Sequence, residues 1–146
     1  MDLRMPSRGS SLYLTDDDVL RKIRTTEAST DDEVNVVGAL PGKVKLGMEV
    51  KEEHTNQVGT LHSGLISTLV DSATSLALMT TEKCDSWIYF LSFPHSFIKA
   101  AQIGDKITIE AEVLKQGRTL AFTGAKLFNQ NGAILATGHH VKHIGP

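Results

Sequence analysis

Between Ser63 and Thr81 the chain carries one ionisable side chain, Asp71, among Leu65, Ile66, Leu69, Val70, Leu76, Leu78 and mostly small residues. An isolated carboxylate in such surroundings carries a large desolvation cost unless it is hydrogen-bonded or partnered. One explanation is structural: an acid that faces a solvent-filled groove or caps a neighbouring element. The other is chemical, a general base or nucleophile. Just upstream, Asn56, Gly59, His62 and Gly64 cluster in the loop that enters this apolar run. If the run is a helix, its first N–H groups lack intrahelical acceptors and attract negative charge. Such donors could polarise a carbonyl and stabilise the oxyanion that forms on attack. The plainer alternative, a turn and nothing more, holds for most loops of this composition.

Spacing constrains the chemical reading. Ser63 and Asp71 are eight residues apart, about 12 Å along a helix at roughly 1.5 Å per residue. One helix cannot bring both groups to one atom. If both act in one site, a neighbouring subunit supplies the carboxylate, with a two-fold axis setting each helix start near the other helix's Asp71. A homodimer is then required.

The elements that position these residues are legible from periodicity. Ser63 to Thr81 has helix length and no charged face, so it needs a cover. Before it, Pro41-Gly42 marks a turn, and Val44, Leu46, Met48 and Val50 alternate with Lys45, Gly47, Glu49 and Lys51, which predicts a half-buried strand from Lys43. After it, Trp87 to Ile98 is aromatic and apolar with Pro94 inside, a strand bent or interrupted near the proline. Ile107, Ile109, Ala111 and Val113 alternate with polar residues, and Gln116-Gly117-Arg118 turns the chain into Thr119 to Phe128. Asn131-Gly132 then leads into a last strand from Ile134 to about Val141. Thr15-Asp16-Asp17-Asp18 before Val19, Leu20 and Ile23 marks a separate short helix over Thr15 to Thr26.

The division expected is an extension over residues 1–42 and one main domain over residues 43–146. In that domain the order is strand, helix, then four strands. An α+β arrangement follows, an antiparallel sheet curling around one long helix, which is the hotdog architecture.

Composition excludes several classes. A chain of 146 residues with 40% hydrophobic content can bury a core without staples. With 22% charged residues and a net charge of -2, no global basic field exists to hold nucleic acid or an anionic membrane. The sole cysteine, Cys84, excludes an internal disulfide and suits a reducing intracellular compartment. Met1 to Ser11 does not read as a secretory signal, and no run is apolar enough for a membrane span, so the expected location is cytoplasmic or mitochondrial. His139, His140 and His143 lack an acidic companion cluster, and strand alternation separates neighbours, so no metal is assigned.

Several spaced motifs in order carry a resemblance. His54-Thr55-Asn56, Gly59-Thr60-Leu61-His62-Ser63-Gly64, Thr68-Leu69-Val70-Asp71, Lys115 to Thr123 and His140-Val141-Lys142-His143-Ile144-Gly145 together resemble the PaaI-like hotdog thioesterases, and within them the animal acyl-CoA thioesterases. The resemblance covers about Lys43 to Pro146. It implies a dimer of hotdog dimers that hydrolyses fatty acyl-CoA of medium to long chain. Asn56 and the Ser63 N–H would meet the thioester carbonyl, His62 would support their loop, and Asp71 of the partner subunit would be base or nucleophile. No cofactor is implied, because coenzyme A is part of the substrate.

Two positions depart from the family pattern. Ser63 stands where the family has glycine, but a backbone donor survives a change of side chain unless glycine-only dihedrals are needed. Phe90 stands where the family has a serine that orients water. Ser92, two residues on, shares its face in a regular strand and could replace that serine across a bulge. Similarity assigns coenzyme A to Lys115, Gln116, Gly117, Arg118, Thr119 and Leu120, with Phe90, Phe97 and His143 as further substrate contacts; Lys115 and Arg118 could meet phosphates. The alternative for that turn is a solvated hairpin. For the whole chain the rival reading, favoured by Phe90, is a noncatalytic acyl-CoA binding or partner-regulating protein. A hotdog dehydratase would need a catalytic histidine and acid arrangement that is not evident.

Overall fold

The computed structural model describes residues 34–81, 89–92 and 94–144, the second of these segments as backbone only. The helix expected over Thr15 to Thr26, and Cys84, lie outside the described residues. Among the described residues seven antiparallel strands make one sheet: β1 (Val34–Leu40), β2 (Lys43–Glu49), β3 (Tyr89–Ser92), β4 (His95–Phe97), β5 (Lys106–Gln116), β6 (Leu120–Phe128) and β7 (Ile134–His143). The α-helix α1 (Ser63–Met79) packs on it. The strand order is β1-β2-β5-β6-β7-β3. β6 occupies one edge of β7, and β3 and β4 lie end to end along the other. The expected strand around Pro94 is thus interrupted there.

The sheet begins earlier than its periodicity suggested. β1 precedes the strand expected to be first and pairs with it from Val34↔Met48 to Leu40↔Lys43. Val34 and Val36 are partly buried, but a register shift between Val36 and Gly38 leaves Val37 mostly exposed. A bulge of this kind breaks the alternation that marks a half-buried strand. The main-domain order is therefore two strands, helix, then five strand segments.

Alternation sets which face of the sheet meets α1. Val44, Leu46 and Met48 of β2, Ile107, Ile109 and Ala111 of β5, and Ala121, Ala125 and Leu127 of β6 are buried. From α1 come Ile66, Leu69, Val70, Ala73 and Ala77, the 3–4 spacing that keeps side chains on one helical face. Gly138 of β7 lets the helix approach: a Cβ there would sit 2.8 Å from Val70 Cγ1. The helix end is tied to the β1–β2 turn. Thr80 Oγ1 accepts from the Gly42 N–H at 2.7 Å and lies 3.0 Å from the Leu40 carbonyl oxygen. Gly42 itself has φ +78, a conformation that favours glycine.

The sheet covers only one side of α1. Ser63, Gly64 and Thr68 on the other side are exposed, and Asp71, Ser72 and Ser75 are half-buried. No helix among the described residues is long and apolar enough to cross a membrane.

Candidate active site

The entry loop is built around two side chains. Asn56 Oδ1 accepts from the Val58 and Thr60 N–H groups at 3.0 and 3.1 Å, and its Nδ2 donates to Thr60 Oγ1 at 2.8 Å. An asparagine amide closing its own loop this way is an Asx turn, and Gly59 at φ +80 completes it. The other amide hydrogen of Nδ2 is uncommitted among the described residues.

His62 is the N-cap of α1. Its Nδ1 accepts from the Gly64 N–H at 2.9 Å, and its carbonyl accepts from Leu65 and Ile66 at 3.0 and 3.1 Å. Glycine at 64 makes room for this cap, since a Cβ there would lie 3.0 Å from the imidazole. The remaining first-turn donor, the Ser63 N–H, has no acceptor among the described residues. Asn56, His62 and Ser63 therefore share one loop around an open backbone donor at a helix start, where an anion is favoured.

Asp71 lies two turns further along and faces β7. As α1 crosses β7, Val70 meets Gly138, Thr74 meets His140, and Ser75 meets Lys142. Asp71 Oδ1 lies 3.4 Å from Lys142 Nζ and 3.5 Å from His140 Nδ1. Its side chain is 46% exposed, whereas Lys142 is 1% and His140 0% exposed. Lys142 Nζ also donates to Ser75 Oγ at 2.5 Å and to the Asp71 carbonyl oxygen at 3.3 Å.

His140 is neutral at ordinary pH. Burial pushes it down to about 3, assisted by the Lys142 charge and by His95, whose ring meets His140 edge-on at 6.0 Å. The His140–Asp71 approach is thus not an ion pair. Thr74 donates its hydroxyl proton to Val70 O at 2.8 Å, so its oxygen accepts from His140 Nδ1 at 3.1 Å. That assigns the proton to Nδ1 and turns it toward Asp71 Oδ1 as well.

Sequence reading missed Lys142 and His140. The available signal was period two along β7, which puts Gly138, His140 and Lys142 on one face, but a lysine on a last strand ordinarily reads as solvated.

The proposed coenzyme A residues divide. Lys115, Gly117, Arg118 and Thr119 are exposed and Gln116 and Leu120 half-buried at the β5–β6 turn, which Gly117 N–H closes on Leu120 O at 2.8 Å. His143 pairs with Leu120 and so joins this end of the sheet. Phe97 does not: it pairs with Ala136, seven residues from His143 along β7, about 23 Å at roughly 3.3 Å per residue. That far end also holds the helix start, because Leu61 N–H bonds Ala101 O just after β4. One chain thus carries Asn56, Ser63 and Phe97 at one end, and Asp71, His143 and the hairpin toward the other.

Phe90 is registered with Lys142 and Ser92 with Val141, and a register shift falls between them. Simple alternation therefore does not carry from Phe90 to Ser92, and the backbone beside Asp71's partner Lys142 is that of Phe90. The two side chains lie outside the described residues. A groove of about 200 Å³, lined by Glu110, Glu112, Leu114, Lys126 and His139, lies on the opposite face of the sheet and does not reach Asp71. Among the described residues no group of three His, Cys, Asp or Glu side chains is placed to hold a metal.

With this geometry in place, comparison with known proteins is specific. A model of the thioesterase superfamily matches residues 58–136. Acyl-coenzyme A thioesterase 13 of Homo sapiens is 45% identical over 113 residues, 77% of this chain and 80% of that one. The crystal structure of zebra fish thioesterase superfamily member 2 superposes with a TM-score of 0.83 at 41% identity, covering 90% of this chain and 99% of the other. The E. coli PaaI protein shares the fold, with a TM-score of 0.78 at 18% identity over 87% of this chain and 91% of its own. On sequence and fold together, the chain belongs to the thioesterase superfamily, in its hotdog form.

Proposed function

We infer that this thioesterase hydrolyses acyl-CoA, with fatty acyl groups of medium to long chain as its substrates, and that it does so in a site completed by two subunits. The observation that supports this best is the split just described. The open Ser63 donor and the Asp71 carboxylate face opposite needs of one reaction yet sit about 12 Å apart along one helix. A two-fold axis that sets two such helices side by side unites them.

In that site Asn56 Nδ2 and the Ser63 N–H hold the thioester oxygen. Asp71 of the partner subunit takes a proton from water, whose oxygen adds to the carbonyl carbon. The oxyanion collapses, the C–S bond breaks, and the coenzyme A thiolate leaves and is protonated by solvent. Thiolate departure needs less assistance than alkoxide departure because thiols are the stronger acids. Lys115 and Arg118 at the exposed turn suit the phosphates of coenzyme A, and a homotetramer of two such dimers is the assembly that the family resemblance supports.

The test is release of free thiol from short, medium, long and aryl acyl-CoA by the full chain and by Asp71→Asn. The variant keeps shape and hydrogen-bonding capacity, so it should melt normally while kcat falls about 10²- to 10⁴-fold. An unaltered kcat in a folded variant removes Asp71 from the chemistry. The rival reading, a noncatalytic acyl-CoA binder, rests on Phe90 beside Lys142. It would show as tight acyl-CoA binding with no thiol release from any chain length.

A further inference from the structure

Asp71 does not stand alone on its helix. Beneath it lies a lysine that is 1% exposed, and among the described residues its ammonium meets three acceptors: Ser75 Oγ at 2.5 Å, the Asp71 carbonyl oxygen at 3.3 Å and Asp71 Oδ1 at 3.4 Å. A buried cation is tolerated only when paired and hydrogen-bonded in this way. Two of the three acceptors belong to Asp71. The contacts fall on Oδ1, which His140 Nδ1 also approaches at 3.5 Å; among the described residues no hydrogen bond or ion pair reaches Oδ2.

We propose that Lys142 is a positioning residue for Asp71, gripping Oδ1 from below the helix so that Oδ2 turns outward to the acyl-CoA and water. This rests on Asp71 being the base. The chemistry calls for such a device. A base acts only while its free oxygen is held within reach of the proton it takes. Directional donors also reduce the rotamers that a half-exposed aspartate samples.

Ser75 fixes the ammonium in turn. It stands one helical turn past Asp71, so the helix supplies both the carboxylate and the hydroxyl that holds its cation. Among the described residues the titratable groups facing Asp71 are His140 and Lys142, both of β7, with His95 of β4 behind His140. Since His140 is neutral, Lys142 is the cation in contact with the carboxylate.

The experiment is kcat and KM for acyl-CoA hydrolysis by the full chain, comparing wild type, Lys142→Met and Asp71→Asn, with thermal melts alongside. Methionine keeps length and packing while removing the charge. Lys142→Met should lose about 10- to 100-fold in kcat with KM within about twofold. A merely structural lysine would lower the melting temperature and leave the kcat of the folded enzyme in place. Lys142→Gln, neutral but still a donor, is judged by the same two readouts if the methionine variant does not fold. A folded, neutral variant with wild-type kcat overturns the proposal. If Asp71→Asn is inactive in that same experiment, only the role of Lys142 has failed; if Asp71→Asn is active, the base assignment has failed and the positioning role falls with it.

Discussion

The residues beneath Asp71 show how a polar layer is held inside an apolar contact. Helix and sheet meet through Leu69, Val70 and Ala73, yet His140, Lys142 and Thr74 are all buried beside them. Each is engaged: Thr74 bonds Val70 O and His140 Nδ1, and Lys142 bonds Ser75 and Asp71. His140 has a measurable consequence. Its folded-state value is about 3 against an ordinary 6.5, so between those limits the unfolded chain binds the extra proton. Folding stability from this residue is complete above about pH 6.5 and declines as pH falls toward about 3. Other groups also titrate in that window, so the comparison is with His140→Gln. The stability lead of wild type over the variant should shrink on acidification, as read from urea midpoints at several pH values. Parallel curves would contradict a neutral, buried His140.

At the scale of elements, the helix is placed by how closely it can approach β7. Gly138 is where this is settled. A Cβ would meet Val70 Cγ1 at 2.8 Å, and Val70 is fully buried and cannot swing away. Gly138→Ala should therefore destabilise the fold by about 1–3 kcal/mol, the usual cost of overpacking, and lift α1 enough to lengthen the Asp71–Lys142 contact. Chemical denaturation together with kcat checks both; a neutral substitution would mean that the helix rides higher than described.

These elements were legible in the sequence to different degrees. β2 and β5 declared themselves by alternation, β6 and β7 by the turns that lead into them, and α1 by its length and its single ionisable residue. β1 did not, because the irregularity at Val37 breaks its period of two. The loop residues Asn56, His62 and Ser63 and the acid Asp71 were visible as types in unusual surroundings. Lys142 was not, since nothing local distinguishes a lysine that dives under a helix from one that reaches into solvent; only the register of α1 over β7 does that. The relation of Phe90 to Ser92 was hidden for a similar reason, being fixed by a register shift against β7 rather than by spacing along β3.

At the scale of the whole molecule, the described residues leave one side of α1 without a cover. That side carries Ser63, Gly64 and Thr68 exposed and Asp71 half-exposed. It is uncharged apart from the one carboxylate, so a second copy can approach it without burying further charge. Two helices related by a two-fold axis would then face each other, with each Ser63 donor near the other chain's Asp71. Complementation tests this most directly. Asp71→Asn and Asn56→Ala each spoil a different half of every site in their own homodimers, whereas a mixed dimer holds one site with both groups intact. Equal mixing with proven subunit exchange should restore roughly a quarter of wild-type sites, with thiol release rising accordingly, because half the dimers are mixed and each has one good site of two. No recovery despite exchange would place Asn56 and Asp71 in the site of a single subunit and contradict the shared active site.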